Sequence, residues 1–364
     1  MKLLLNKEKI LDALQLVQNI VSTRSTLPIL SNTLLHARKD GLSLMATDLD
    51  IAIRCPVEAQ VLREGSTTLP ARRLFSIIRE LAQNEVSLEV DDKNVATIQS
   101  GCSLFKIHGL AETEFPQLPK LNNARSFTTD QKTLKDALKK TSFAMSRDET
   151  RHVLNSVLLS IREDKLSAIA TDGRRLALSE YDLDLTKGTH GDLLIPSKTI
   201  VEIQRLLKDK GHVTMSFTEN QVSMEMDGAQ LVSKLVDGMY PNYQQVIPAE
   251  TKERVSLERE TFHQALHRAA LLANERNPIV KLQFSKNNLS ISAHTPDIGE
   301  SCESLAINYK GAEISIGFNP FFILDALQNL DHDEIFLELT DALSPGVVKV
   351  NAPFLYVVMP MRVP

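Results

Sequence analysis

The sequence predicts an α+β protein built from three copies of one domain, with helices on one face of antiparallel sheets. Internal similarity at a spacing of roughly 125 residues, the size of a whole domain, is the first sign. The run Leu30-Ser31-Asn32-Thr33-Leu34-Leu35, leading to Ala46-Thr47-Asp48, returns as Leu154-Asn155-Ser156-Val157-Leu158-Leu159, leading to Ala170-Thr171-Asp172. A fainter copy runs from Ile279-Val280-Lys281-Leu282 to Ala293-His294-Thr295. Helical stripes and paired strands recurring at matching places are the second and third signs.

Each copy opens on an amphipathic helix. Ile10, Leu14, Val17 and Val21 form one stripe, Leu134, Leu138 and Thr141 a second, and Phe262, Leu266 and Ala269 a third. A hairpin follows in each. Thr33–Ala37 and Leu42–Ala46 flank one polar turn, Ser156–Ile161 and Leu166–Ala170 the next, and Lys281–Phe284 and Leu289–Ala293 the last. A second helix begins after Pro70, at Ser197, and at Asn319-Pro320, where Asn caps and Pro takes the first helical position. Short alternating strands such as Val86–Val90, Val213–Phe217 and Ile335–Leu339 complete each unit. Polar stretches without hydrophobic period set the expected domains at 1–122, 126–249 and 253–364.

Composition excludes several classes. The chain has 364 residues, 43% hydrophobic and 24% charged, as an ordinary globular protein has. No apolar run approaches the roughly 20 residues of a membrane span. Asn6-Lys7-Glu8-Lys9 cuts the opening apolar run too short for a signal peptide, so a cytoplasmic location is expected. Cys55, Cys102 and Cys302 lie far apart with no C-x-x-C pair, which reads as reduced structural thiols. The net charge of −5 argues against a broadly basic nucleic-acid binder, though not against a protein with one basic face.

No phosphate-binding loop, dinucleotide fingerprint, zinc-protease motif or nucleophile elbow is present, and no cofactor or metal is expected. His263 and His267 stand at i, i+4 without an acidic or Cys partner and read as an exposed helix face. Asp331-His332-Asp333-Glu334 reads as a polar turn. Asp48 and Asp172 occupy equivalent repeat positions, which points to backbone capping in a turn. The competing reading is a metal-dependent hydrolase or nuclease using those two carboxylates. Triplication and the missing ligand cluster weigh against it.

Three stretches then identify a family. Ala170-Thr171-Asp172-Gly173-Arg174-Arg175-Leu176-Ala177, Asp237-Gly238-Met239-Tyr240-Pro241-Asn242-Tyr243 and the tail Tyr356-Val357-Val358-Met359-Pro360-Met361-Arg362-Val363 resemble the bacterial DNA polymerase III beta subunits, the replicative sliding clamps. The resemblance spans the whole chain. It implies a non-catalytic processivity factor, a head-to-tail homodimer whose six domains close a ring around duplex DNA. It also implies partners bound through short linear motifs: the polymerase alpha subunit, the clamp loader, other polymerases and repair proteins.

The resemblance further implies three sets of site residues. A peptide-binding pocket comprises Leu154, Thr171, Gly173, Arg175, Leu176, Pro241, Val246, Val358, Met359, Pro360 and Met361, with Arg174, Gln245 and Val363-Pro364 departing from the common pattern. The DNA-facing set is Arg72, Arg73, Lys132, Lys135, Lys139, Lys198 and Arg205 on helices, joined by Lys9, with Arg24, Arg147 and Arg151 at the rim. The helix 320–329 carries no Lys or Arg. The dimer interface sets Phe105 and Ile107 against Leu271 and Leu272, and Lys106 against Glu300 or Glu303.

Overall fold

A computed structural model describes residues 1–21, 27–119, 121–184, 189–274, 278–296 and 298–362. The first repeat runs β1 (Lys2–Asn6), α1 (Lys7–Ile20), β2 (Asn32–Arg38), β3 (Gly41–Thr47), β4 (Ile51–Val57), β5 (Ala59–Arg63), β6 (Gly65–Pro70), α2 (Ala71–Glu80), β7 (Glu85–Val90), β8 (Val95–Ser100) and β9 (Ser103–His108). The second runs β10 (Arg125–Asp130), α3 (Gln131–Thr141), β11 (Ser156–Arg162), β12 (Lys165–Thr171), β13 (Arg175–Asp182), β14 (Gly191–Pro196), α4 (Ser197–Leu206), β15 (His212–Phe217), β16 (Gln221–Met226) and β17 (Ala229–Lys234). The third runs β18 (Glu253–Glu258), α5 (Arg259–Ala270), β19 (Val280–Ser285), β20 (Asn288–Thr295), β21 (Gly299–Ala306), β22 (Ile314–Phe318), α6 (Pro320–Gln328), β23 (Glu334–Leu339), β24 (Gly346–Val350) and β25 (Ala352–Val358).

Each repeat is a strand, a helix, four strands, a helix and three strands. In the first, the fourth strand is broken at Glu58, because β4 pairs with β3 while β5 pairs with β1. The predicted stripes are the buried faces. Ile10, Leu14 and Val17 are fully buried, as are Leu134 and Leu138, while Leu266 and Ala269 match them in α5. Asn6 caps α1 by accepting from the amides of Glu8 and Lys9, and Asn319 caps α6 through Phe321 N. The β11–β12 hairpin turns on Glu163 and Asp164, both in the left-handed region at φ 51° and 57°, the twist that a two-residue hairpin turn requires.

The chain forms two compact units. Residues 1–132 and 201–235 hold two antiparallel sheets, ordered β5-β1-β7-β8-β9 and β10-β15-β16-β17-β4-β3-β2-β6. Residues 133–200 and 236–364 hold two more, ordered β14-β11-β12-β13-β25-β24-β23-β18 and β21-β20-β19-β22. The central repeat is divided between the units. Its strands continue the sheet of the first repeat through β17–β4, and that of the third through β13–β25. Among the described residues no helix is long and apolar enough to cross a membrane.

Candidate functional site

The Thr171–Arg175 turn joins β12 to β13, and four hydrogen bonds shape it. Thr171 Oγ1 donates to Arg175 O at 2.5 Å and accepts from Gly173 N at 3.1 Å. Asp172 Oδ1 accepts from Arg174 N at 2.9 Å and Arg175 N at 3.1 Å. Gly173 sits at φ +90°, a conformation that strains a side chain. The Thr47–Ile51 turn between β3 and β4 repeats these bonds: Thr47 Oγ1 to Ile51 O, Leu49 N to Thr47 Oγ1, and Asp50 N and Ile51 N to Asp48 Oδ1. Both carboxylates thus cap turns, as their repeat positions predict. Used on backbone amides, and with no metal-ligating cluster among the described residues, they give the hydrolase reading no support.

Arg175 fills the space behind its turn. Its side chain is 4% exposed. Nε donates to Asp172 Oδ2 at 3.0 Å, Nη1 to Asp325 Oδ2 at 2.6 Å and Nη2 to Phe143 O at 2.9 Å. The guanidinium lies 4.5 Å from the Phe322 ring centroid. Burial pulls its pKa down, yet Tyr356, Asp325 and Asp172 outweigh burial and hold it above its ordinary value. Arg175 therefore supports the turn from behind. Leu176 and Val358 are also buried, at 1% and 0%, and back the surface with core.

The exposed part of the predicted pocket is Gly173, Pro241, Val246 and Met359, with Leu154, Pro360 and Met361 half-buried. Two backbone bonds fasten the tail there, Met359 N to Arg174 O at 2.9 Å and Met361 N to Gly317 O at 2.7 Å. The connector after β17 lies over the sheet, where Val236, Tyr240, Tyr243 and Ile247 pack on Leu158, Ile169, Leu176, Leu194 and Val357. A cavity of about 440 Å³ beside it is lined by Leu158, Arg162, Asp192 and residues 238–244. Pro241 is its one member from the predicted set. Sequence reasoning missed Asp325, Phe322 and Phe143, which surround Arg175. No motif or repeat position marks them.

The predicted DNA-facing side chains divide by partner. Arg72, Arg73 and Arg147 are exposed, as are Lys132, Lys198 and Arg205. Arg205 is paired with Glu202, Lys9 with Glu58, and Lys139 with Asp331 at 2.7 Å. Arg151 Nη1 donates to Asp172 O at 2.9 Å, which ties it to the pocket turn. Lys135 is half-buried on α3. Arg24, Val363 and Pro364 lie outside the described residues.

The predicted interface residues lie on sheet edges. β9 ends one sheet and leaves Phe105 39% exposed, with Lys106 exposed and Ile107 half-buried. β21 ends another, beside Leu271 at 71% exposure and half-buried Leu272. Glu300 is exposed, whereas Glu303 is already held by Arg268 through bonds of 2.6 and 3.0 Å. Of the three thiols only Cys55 is buried, and burial pushes its pKa up to about 12. Cys102 and Cys302 are exposed, which corrects their reading as structural.

Three family models match in chain order: the N-terminal, central and C-terminal domains of the DNA polymerase III beta subunit, over residues 1–119, 128–242 and 244–362. The chain belongs to the DNA polymerase III beta subunit family. It is 36% identical over 362 residues to the beta sliding clamp of Chlamydia muridarum, covering 100% of this chain and 99% of that protein. It is 33% identical over 367 residues to the beta sliding clamp of Escherichia coli K12, covering both in full. Among solved structures, the sliding clamp of Pseudomonas aeruginosa bound to griselimycin superposes with TM-score 0.97 at 32% identity, and that of Bacillus subtilis with 0.95 at 31%, each covering 100% of both chains. The chain is thus a DNA sliding clamp, a non-catalytic processivity factor.

Proposed function

We propose that this clamp closes into a ring by pairing β9 of one copy with β21 of a second, and that the ring encircles duplex DNA and tethers the replicative polymerase. One observation carries this reading. The last strand of the second and third repeats is paired with the fourth strand of the repeat before it, as β17–β4 and β25–β13. The last strand of the first repeat, β9, and the fourth of the third, β21, end their sheets. Two complementary bare edges on one chain are the condition for a closed head-to-tail assembly, and a bare edge is otherwise an aggregation hazard.

Within this reading the exposed Arg72, Arg73, Lys132, Lys198 and Arg205 meet phosphates without reading sequence, as sliding demands. Gly173, Pro241, Val246, Met359 and Met361 form the surface that receives short linear motifs from polymerase, loader and repair proteins. Flexible Met side chains suit one surface to many peptides. Domain limits of 1–122, 126–249 and 253–364 and a cytoplasmic location complete the proposal. The test is retention on DNA. Clamp loaded on a nicked circle is expected to stay at moderate salt and to leave once the circle is linearised. Equal retention on both would mean ordinary binding.

A further inference from the structure

The surface proposed to receive motifs, where the second repeat joins the third, has a copy where the first joins the second. The Thr47–Ile51 and Thr171–Arg175 turns share their four bonds. One further bond repeats with them: Lys234 N donates to Asp50 O, and Met359 N to Arg174 O, each at 2.9 Å. The pairings of Leu231 with Ile53 and of Tyr356 with Ala177 keep the same offset. Pro116 after Phe115 answers to Pro241 after Tyr240. The two places therefore correspond residue by residue. Leu49 stands for Gly173, Asp50 for Arg174, Ala52 for Leu176, Ser233 for Val358 and Lys234 for Met359. The first copy keeps a cavity of about 200 Å³, lined by Leu49, Asp50, Ala52, Pro116, Pro119 and Lys234 among others. That is below the roughly 300–1,000 Å³ of pockets that enclose a ligand.

We infer that Leu49 and the Lys234–Asp50 pair close this copy, so that each chain takes motifs at one of the two places only. The inference rests on the motif-binding reading above and adds the residues that confine it. Leu49 sits at φ +79°, in the left-handed region that a leucine occupies only under strain. Its side chain is 48% exposed, so burial in the core does little to offset that strain. Where Gly173 presents bare backbone, Leu49 sets a branched side chain on the wall of the cavity. Lys234 Nζ meets Asp50 Oδ1 at 3.0 Å, and both side chains are largely in water. An apolar peptide seated there would strip water from both charges, whereas at Met359 it meets a thioether that repacks around it. Ala52 and Ser233, both buried, replace Leu176 and Val358 and take apolar surface from the floor. Every one of these replacements acts against an apolar ligand.

Binding stoichiometry tests the closure. The full chain is titrated calorimetrically with a short synthetic peptide carrying a Gln and a spaced Leu/Phe pair. The expected result is one peptide per chain for the unaltered protein and two for Leu49→Gly combined with Lys234→Met. In a chain lacking residues 359–364, where binding beside the tail is weakened, the same two substitutions are expected to restore a single site. The melting temperature of Leu49→Gly alone is expected to hold or rise, because glycine relieves the positive φ. Leu49→Asn, which tolerates that φ, replaces it if glycine loosens the turn. Two peptides per chain in the unaltered protein would show the first copy already open and overturn the inference. So would one peptide per chain in a folded double variant, or a large fall in melting temperature with both Leu49 variants, which would make Leu49 a packing residue. No peptide bound by the unaltered chain would overturn the motif-binding reading and this inference with it.

Discussion

Arg175 and Asp325 meet at 2.6 Å and tie the turn between β12 and β13 to helix α6. The partners lie 150 residues apart in sequence, one in the central repeat and one in the third. The equivalent turn of the first repeat has Ile51 at this place. The two turns share their backbone bonds, and the buried guanidinium distinguishes the one beside the tail.

Replacing Asp325 with Ala leaves Arg175 buried with one carboxylate instead of two. A loss of about 1–3 kcal/mol is expected, toward the low end because the Asp325 side chain is 31% exposed and water partly compensates. Urea unfolding measures it. Because Arg175 backs the turn, peptide affinity in fluorescence polarisation is expected to fall as well, and Asp325→Asn is expected to restore part of both. Unchanged stability would show that Asp172 alone satisfies the guanidinium.

Leu271 and Leu272 replaced together by Ala are expected to weaken the dimer. Burying a Leu side chain fully contributes about 1.5–3 kcal/mol relative to leaving it in water, so at least a tenfold rise in the dissociation constant is expected. Light scattering across a dilution series reads it. The chain itself should stay folded, since Leu271 is exposed before assembly.

Deleting residues 359–364 removes Met359 and Met361 and their bonds to Arg174 O and Gly317 O. Peptide binding is expected to weaken by about 2 kcal/mol or more, the scale of a central anchor. The dimer edges lie elsewhere, so sizing is expected to show an intact dimer. Undiminished affinity for a labelled polymerase peptide would remove the tail from the site.

Lys139 is held by Asp331, and that bond keeps the Asp331 carboxyl below its ordinary 3.8. A depressed carboxyl contributes stability above its unfolded value and loses it as pH falls through the folded one. The pair's contribution therefore disappears only in acid. At neutral pH, Asp331→Asn is expected to release Lys139 toward phosphate, tightening binding to duplex and steepening the dependence of log K on log salt by about 0.9. A titration series at several salt concentrations tests it, and an unchanged slope would mean that Lys139 does not reach DNA.

Sequence by itself determined the repeat, the buried helical stripes, the hairpins and the capping role of Asp48 and Asp172. These are local, because a 3.6-residue stripe, a polar turn and a short carboxylate each act within a few residues of themselves. The three stretches that carry the family resemblance were legible for the same reason. Tertiary structure alone decided which side chains remain available. Arg175 is expected as a member of the peptide-binding pocket, yet burial behind the turn makes it a support, because Asp325 and Phe322 arrive from a distant helix. Lys139 and Arg151 read as basic positions like Arg72, and only the fold supplied the partners that occupy them. The pairing of β17 with β4 and of β25 with β13 was equally hidden. Strand edges are satisfied by backbone groups that every residue carries, so composition holds no record of which edge meets which.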